Sequence, residues 1–302
     1  MEGKDNILSQ NTRLKIAIFG NKYQEEYISQ LSEFFNLMSH YDLEVAMEYT
    51  FYNYLSRVLD TAPHVDQLIK GDRFTADIAL SIGGDGTFLR TAQRVANKGI
   101  PIIGINTGHL GYLADVTIDE CHDIFDDIIN HRYKIEDRSL IEVSTSCPEF
   151  TGWKYALNEV AILKQDTASM ISVKTLINGS ELATYRGDGL IISTPTGSTG
   201  YNLSVGGPII EPCAPNWALS PIAAHSLTMR PLVISDQRVL TITTTSRAQN
   251  YRISLDGRST TLPVGSTVTL RKAPFVIKLA QRHIHHFTDT LRNKLLWGID
   301  KI

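Results

Sequence analysis

The sequence predicts a two-domain α/β protein, with a parallel α/β sheet in the N-terminal domain and a β-rich C-terminal domain. In the first 135 residues, apolar strand-like runs alternate with segments whose apolar residues recur at helical spacing, which is typical of parallel sheets. After residue 135, strand-like runs follow one another with few helical patterns. We therefore predict domains over 1–135 and 136–286, and expect a last helix over 287–302 to dock back on the first domain.

The N-terminal domain shows strand and helix patterns in alternation. Apolar runs predict strands at 14–20, 43–49, 76–84 and 100–106. Helical spacing predicts helices at 25–38, from Gly86 to a stop at Gly99, and at 118–133. Ligands bind outside the carboxyl ends of the strands in such sheets, so functional residues are expected just after these runs.

The second half is mainly β. Strand-like runs occupy 139–145, 155–163, 170–177, 189–193, 239–245 and 266–280. The pairs Asn178-Gly179 and Asp256-Gly257 are typical of two-residue hairpin turns, which need positive φ. The segment 287–298 returns to a helical pattern, and Asp289 is a candidate for its N-cap.

The composition narrows the function classes. Of 302 residues, 42% are hydrophobic and 20% are charged, and the net charge is −3, so no nucleic-acid partner is expected. The three cysteines are far apart and show neither metal-ligand spacing nor a disulfide framework. The N-terminus lacks the apolar region of a signal peptide, and no run approaches the roughly 20 apolar residues of a membrane span. We expect a cytoplasmic protein with no membrane partner.

The loop "GGDGT" at 83–87 follows a strand and opens a helix. Glycines in this position usually present backbone N–H groups to an anion, whereas the carboxylate of Asp85 would repel one. The loop matches neither the phosphate-binding P-loop nor the dinucleotide fingerprint. Taken alone, it is equally consistent with an ordinary strand-to-helix turn, in which a carboxylate is favoured at the helix N-terminus.

Two further stretches carry polar residues next to apolar strands. Between 194 and 207, threonines and serines are interleaved with glycines, which lets a ligand approach the backbone and hydrogen-bond to hydroxyl groups. In "LNEVAI" (157–162), Asn158 and Glu159 interrupt an apolar run. An amide beside a carboxylate suits a ribose diol or an amide-bearing base, but strand alternation alone would turn one of the two to solvent.

These segments together carry a resemblance. The motifs "GGDGT", "LNE", "RGDG" (186–189) and "TPTGSTGYNLSVGGP" (194–208), in this order and at these separations, resemble the NAD kinase family. The segments at 105–115 and 225–234 are also similar to family segments, so the resemblance covers about residues 76–260. The Gly-Gly-Asp-Gly loop alone also occurs in diacylglycerol kinases, sphingosine kinases and phosphofructokinases, whereas the long hydroxyl–glycine motif is specific.

The resemblance implies a Rossmann-like N-terminal domain and a β-rich NAD-binding domain, with the active site between them. It implies ATP with a divalent cation such as Mg²⁺, a homodimer or homotetramer, and transfer of phosphate to the adenosine ribose 2′-hydroxyl of NAD. Asp85 matches the proton acceptor. The matching substrate-binding positions are Asp85, Gly86, Arg90, Asn158, Glu159, Arg186, Asp188, Thr199, Gly200, Tyr201, Asn202, Leu203 and Ser204.

This reading explains the carboxylate in the glycine loop. The attacking group in the transfer is a hydroxyl, and a carboxylate within hydrogen-bond reach can orient it and accept its proton. The glycine N–H groups can still hold the phosphates of the donor, and Mg²⁺ neutralises their charge.

Two alternatives remain open from the sequence. A lipid kinase could share the Gly-Gly-Asp-Gly loop, but the 194–208 stretch is not apolar enough to hold an acyl chain. A non-catalytic dinucleotide sensor could use the same scaffold, but it would have no use for the carboxylate of Asp85.

The run "HIHHF" at 283–287 contains three histidines and is a candidate for a metal site. On a strand, His283 and His285 share a face while His286 points away, and no pattern of cysteine or carboxylate ligands completes a site. We predict that it holds no metal.

Overall fold

The computed structural model describes residues 13–22, 25–108, 111–165, 169–282 and 286–298. The chain divides into two compact units, one formed by Met1–Thr91 with Ile100–Tyr133 and the other by Ala92–Gly99 with Lys134–Ile302. The sequence-based boundary near residue 135 and the docking of the C-terminal helix on the first domain stay predictions.

The first unit contains a parallel sheet. Its strands are β1 (Leu14–Gly20), β2 (Leu43–Glu48), β3 (Gln67–Ile69), β4 (Ile78–Ile82), β5 (Ile102–Asn106) and β6 (Val116–Thr117). They lie in the order β3–β2–β1–β4–β5, with β6 beside β5, and each of these pairs is parallel. The predicted parallel α/β sheet is therefore confirmed.

Helices connect these strands. They are α1 (Ile28–Met38), α2 (Tyr49–Val58), α3 (Asp85–Val95) and α4 (Cys121–Ile129), and short 3-10 turns precede α1 and α4 and follow α3. Helix α1 buries Leu31, Phe34, Phe35 and Met38, the 3–4 spacing from which it was predicted. Gly99 adopts a left-handed φ of 71° at the stop after α3, as expected. Helix α2 was not predicted, because Phe51 and Leu55 are its only two buried residues.

The second unit is built from antiparallel strands. They are β7 (Tyr133–Thr145), β8 (Tyr155–Ala156), β9 (Glu159–Lys164), β10 (Ile171–Ile177), β11 (Ser180–Gly187), β12 (Gly189–Ser193), β13 (Asn216–Ile222), β14 (Leu232–Ser235), β15 (Leu240–Ser246), β16 (Asn250–Leu255), β17 (Arg258–Pro263) and β18 (Thr267–Arg282). One sheet has the order β14–β13–β12–β9–β16–β17, and another contains β11–β10–β15–β18. A shared core includes Ile162, Ile192, Trp217, Ile242 and Tyr251.

Both predicted hairpin turns are confirmed. Asn178-Gly179 joins β10 to β11 and Asp256-Gly257 joins β16 to β17, and all four residues have φ between 48° and 82°. The strand predicted at 155–163 is in fact two strands, because β8 ends at Ala156 and β9 begins at Glu159.

Two short helices follow in this unit. They are α5 (Tyr201–Ser204), which a 3-10 turn over Thr196–Thr199 precedes, and α6 (Phe287–Leu295). The proposed N-cap of α6 was wrong: His286 occupies that position, and Asp289 lies within the first turn, where it pairs with Arg292. None of the helices in the described part of the chain has the length and apolar composition that a membrane crossing requires.

Candidate active site

The loop with Asp85 lies at the carboxyl end of the parallel sheet. Strand β4 ends at Ile82, and the N–H of Gly83 donates to the carbonyl of Ile105 in the neighbouring strand at 2.8 Å. The N–H groups of Thr87 and Phe88 donate to the carbonyl of Gly84, which starts α3. The loop therefore sits where parallel sheets bind their ligands.

Three backbone N–H groups hold the carboxylate of Asp85. Tyr112 donates to Oδ2 at 2.8 Å, whereas Leu113 and Ala114 donate to Oδ1 at 2.9 and 3.1 Å. An ionised carboxylate offers about four acceptor sites. With respect to the donors in the described part of the chain, one site on Oδ2 is therefore left for a further donor, and Asp85 is partly exposed.

Two glycines allow the 111–114 segment to approach this closely. A Cβ atom on Gly111 would overlap the carboxylate of Asp85, and one on Gly104 in β5 would overlap the backbone of Leu113 and Ala114. The segment is also tied to β5 by Asn106, whose Nδ2 donates to the carbonyl of Ala114 at 3.4 Å. The position of Asp85 is thus set by backbone geometry on both sides.

Gly86 and Arg90 lie near Asp85 on the exposed side of α3. Arg90 donates from Nη2 to Oγ1 of Thr87 at 3.1 Å, which keeps its guanidinium along the first turns of the helix. Burial and the negative charge of Asp85 raise the pKa of the neighbouring Tyr112 to about 12. The three predicted site residues of the first unit, Asp85, Gly86 and Arg90, thus lie within the first two turns of α3.

In the second unit, Asn158 and Glu159 lie where the chain enters β9. Glu159 is buried and Asn158 is half-buried. Neither Oδ1 of Asn158 nor Oε2 of Glu159 accepts a hydrogen bond from any residue that the structure describes, although both atoms are inaccessible to solvent. Buried acceptors without a donor are uncommon and costly, so this pair is suited to a ligand that supplies donors.

Glu159 has a perturbed acidity. Burial raises its pKa to about 7, and the nearby carboxylate of Asp256 adds to the shift. Such a perturbation next to an unpaired oxygen is typical of a functional residue.

The hydroxyl–glycine motif packs against this pair. Thr194 donates from its N–H to the carbonyl of Asn158 at 2.9 Å and from Oγ1 to the carbonyl of Leu157 at 2.5 Å. A Cβ atom on Gly200 would lie 3.5 Å from Oε2 of Glu159 and 3.7 Å from Nδ2 of Asn158. The structure therefore brings Gly200 together with the Asn-Glu pair.

The residues around α5 differ in exposure. Tyr201 and Ser204 are exposed, and Thr199 and Leu203 are half-buried. Asn202 is fully buried: its Nδ2 donates to the carbonyls of Ser198 and Pro208, and its Oδ1 accepts from Ser220 at 2.6 Å. All the polar atoms of its amide are thus used inside the unit.

Arg186 and Asp188 lie near the end of β9 that is opposite to Glu159. Asp188 pairs with Lys164 at 2.7 Å, and its carbonyl accepts from the N–H of Lys164. Because Glu159 pairs with Ser193 in the antiparallel ladder of β9 and β12, Asp188 is five residue steps away from Glu159, roughly 16 Å. The structure does not bring Arg186 and Asp188 next to Asn158 and Glu159.

Most of the chain is similar to known NAD kinases. The family model of the ATP-NAD kinase N-terminal domain matches residues 16–133, and that of the ATP-NAD kinase C-terminal domain matches residues 157–281. The chain is 46% identical to the NAD kinase of Bacteroides fragilis over 287 residues, which covers 95% of this chain and 99% of that protein. It is 41% identical to the NAD kinase of Porphyromonas gingivalis, covering 94% and 98%.

The chain belongs to the NAD kinase family.

Two solved structures of NAD(H) kinases share its fold. The yeast NADH kinase complexed with NADH superposes with a TM-score of 0.85 at 22% identity, covering 96% of this chain and 90% of that one. The NAD kinase from Archaeoglobus fulgidus in complex with ATP has a TM-score of 0.69 at 24% identity, covering 94% and 98%. The predicted fold class is therefore confirmed.

Two sets of contacts in this candidate site were not predicted from the sequence. The sequence of 111–114 is part of a segment that resembles the family, but nothing in it indicates the hydrogen bonds to Asp85. Asp256 was identified only as a turn residue, and no local pattern distinguishes it from Asn178 in the other hairpin turn.

No group of three or more His, Cys, Asp and Glu side chains that could hold a metal ion occurs in the ranges that the structure describes. His283 and His285 lie outside those ranges, so the absence of a metal site there stays a prediction.

Proposed function

We propose that this member of the NAD kinase family transfers the γ-phosphate of ATP to the 2′-hydroxyl of the adenosine ribose of NAD, giving NADP and ADP. The observation that supports the proposal most strongly is the hydrogen bonding of the Asp85 carboxylate. Its carboxylate is held by three backbone N–H groups at the carboxyl end of a parallel sheet, and one acceptor site on Oδ2 is left over.

In this mechanism, Asp85 orients the ribose 2′-hydroxyl and accepts its proton. The 2′-oxygen forms a bond to the γ-phosphorus while the bond from that phosphorus to the β,γ-bridging oxygen breaks, and ADP leaves. Because the transition state of phosphoryl transfer is loose, most of the catalysis comes from placing the hydroxyl and the phosphate in line. The fixed carboxylate supports that placement.

The phosphates of ATP are assigned to the exposed start of α3. Gly84 and Gly86 are exposed there and a Cβ atom on either would meet no atom within 4 Å, so a phosphate can approach the backbone. Arg90, which lies one turn further along, is assigned to the same phosphates. The divalent cation, Mg²⁺ or a similar ion, is treated as part of the ATP substrate, whose charge it reduces.

NAD is assigned to the second unit. The unpaired oxygens of Asn158 and Glu159 suit hydroxyl or amino donors of the dinucleotide, and Gly200 leaves room beside them. Tyr201 and Ser204 are exposed and free to line the same site. Arg186 and Asp188 can act on the same molecule only if it extends along β9, since they lie at the other end of that strand.

Two further expectations rest on the resemblance. We infer that the active form is a homodimer or homotetramer, and that the enzyme works in the cytoplasm, where it supplies NADP. Size-exclusion chromatography with light scattering tests the first, and localisation of the chain in cells of its source tests the second.

The experiment that tests the proposal is an assay of the purified protein with NAD, ATP and Mg²⁺, in which NADP is detected by an NADP-specific dehydrogenase. Parallel reactions replace NAD with NADH and ATP with inorganic polyphosphate, which establishes the preferred acceptor and donor. Formation of NADP or NADPH in at least one combination, and its loss in Asp85→Asn, is the expected result. No product in any combination contradicts the proposal.

A further inference from the structure

Asp256 makes more contacts than its hairpin turn requires. Its Oδ2 accepts from the N–H of Leu157 at 2.8 Å, and its Oδ1 accepts from those of Asn158 and Glu159 at 2.8 and 3.1 Å. Its own N–H donates to the carbonyl of Glu159 at 3.1 Å. Four hydrogen bonds thus connect one turn residue to the segment that carries the unpaired acceptors.

The hairpin turn at Asn178-Gly179 shows which side-chain hydrogen bonds a turn of this type has without a nearby site. Asn178 has the same left-handed conformation as Asp256, with φ of 49° against 48°. Its side chain accepts one hydrogen bond, from the N–H of Val239 at 2.9 Å. Asparagine is preferred in such turns at least as often as aspartate, so the turn does not explain the carboxylate of Asp256.

The buried environment of Asp256 disfavours the ionised form of its carboxyl group. Burial raises its pKa, although the three N–H donors and the charge of Arg258 oppose the shift. Arg258 donates from Nη2 to the carbonyl of Tyr155 at 3.1 Å. A carboxyl group in a desolvated position destabilises the fold unless its oxygens are hydrogen-bonded, and here the three backbone N–H groups supply those hydrogen bonds.

We propose that Asp256 is a positioning residue for NAD binding, which holds Asn158 and Glu159 by their backbone N–H groups so that their side-chain oxygens point at the ligand. This rests on the proposed function. Only a carboxylate can accept from all three consecutive N–H groups, because one oxygen of an amide is replaced by a donor.

The charge of Asp256 has a second effect on the pair. Among the described residues, Asp256 is the charged group that acts on Glu159, and Arg258 acts in turn on Asp256. Removing the charge therefore lowers the pKa of Glu159. NAD binding then depends less on pH in the neutral range.

Asp256→Asn tests the proposal, because it keeps the shape and the tolerance for a left-handed φ. We expect the KM for NAD to rise about 3- to 10-fold, the effect of one lost hydrogen bond, with the KM for ATP unchanged and kcat changed less than about twofold. We also expect the KM for NAD to vary less between about pH 6 and 8 than in the unsubstituted enzyme. An unchanged KM for NAD, or an unchanged pH profile, overturns the proposal.

A matched pair of alanine variants separates positioning from folding. Asp256→Ala and Asn178→Ala both place alanine at a left-handed turn position and both remove side-chain hydrogen bonds. We expect both to lower the melting temperature, but only Asp256→Ala to raise the KM for NAD. Equal effects of the two variants on that KM contradict a specific role for Asp256.

Hydrogen–deuterium exchange gives a readout that does not need activity. In Asp256→Asn, the peptide that contains Leu157–Glu159 should exchange at least about fivefold faster, whereas Asn178→Ala should leave it unchanged. If the unsubstituted protein forms no NADP while this exchange result holds, the proposed function fails but the anchoring by Asp256 stands. Unchanged exchange in Asp256→Asn overturns the anchoring itself.

Discussion

The two units each contain an aspartate whose carboxylate accepts three consecutive backbone N–H groups. Asp85 accepts from Tyr112, Leu113 and Ala114 in the first unit. Asp256 accepts from Leu157, Asn158 and Glu159 in the second, over nearly the same distances.

The two sets of donors differ in the side chains that they carry. Leu113 and Ala114 are buried apolar residues, whose backbone alone faces the site. Asn158 and Glu159 carry oxygens that no donor among the described residues reaches, and we assign both side chains to the proposed NAD site. In the first unit, the loop therefore positions the carboxylate, whereas in the second unit the carboxylate positions the loop. Under the proposed function, the same hydrogen-bond pattern serves chemistry in the first unit and binding in the second.

The largest expected effect is on the chemical step. Asp85→Asn should lower kcat about 10²–10⁴-fold, because the amide cannot usefully accept the proton of the ribose hydroxyl. The KM for NAD should change much less. The substitution also replaces one of the two acceptor oxygens and removes a charge at the start of α3, the latter worth about 0.3–1 kcal/mol, so its thermal unfolding must be measured beside its steady-state kinetics. A folded variant with near-normal kcat places the base elsewhere.

A second substitution moves the carboxylate without removing it. In Gly111→Ala, the new Cβ atom would overlap the carboxylate of Asp85, so we expect kcat to fall by up to about 100-fold, the effect of a misplaced catalytic group. Gly71→Ala is the matched control in the same unit, because a Cβ atom there meets no atom within 4 Å. Steady-state kinetics of the two variants should differ; a similar kcat in both rules out a need for close packing at Gly111.

Substitutions in the Asn158–Glu159 pair should change the KM for NAD. Glu159→Ala should raise the KM for NAD about 10- to 100-fold, since a hydrogen bond to a charged group contributes about 1.5–3 kcal/mol. Initial rates at varied NAD measure this, with Glu181→Ala as the control, an exposed glutamate of the same unit that pairs with Lys174. If the folded Glu159→Ala enzyme keeps its KM for NAD, Glu159 does not contact the substrate.

The smallest predicted effect is a dependence on pH. Because the pKa of Glu159 is raised to about 7, the side chain is ionised above that pH and gains a proton as the pH falls through it. If NAD binds the ionised form, its KM should rise about tenfold from pH 8 to 6. Glu159→Gln keeps the shape and cannot titrate, so its KM should be flat over this range. Parallel slopes for the two enzymes contradict the assignment.

The fold of the first unit could be predicted in most of its elements. β1 runs over the predicted residues, and β4 and β5 lie inside the predicted runs. These strands are buried on both faces, which produces continuous apolar runs. Helix α2 and the short strand β3 were missed, since each buries too few residues to leave a pattern.

The candidate site was predictable only in part. Motifs locate Asp85, Asn158 and Glu159 in the sequence, but they do not state which polar atoms are left without partners. Within one motif, Tyr201 is exposed and Asn202 is fully buried, a difference that depends on contacts with Ser220 in another strand. The role of Asp256 depends on residues nearly 100 positions away in the chain. Such contacts are set by the tertiary fold and leave no local pattern.

The most direct test of the difference between the two aspartates is the value of kcat at saturating NAD and ATP, measured in parallel for Asp85→Asn and Asp256→Asn. Both substitutions replace a carboxylate that accepts three N–H groups, so the hydrogen-bonding change is matched. We predict that kcat of Asp85→Asn is lower than that of Asp256→Asn by at least about 50-fold, because in the proposed mechanism only Asp85 accepts a proton. Equal values of kcat would show that the two carboxylates contribute equally to the chemical step, which would contradict the assignment of Asp85 as the general base.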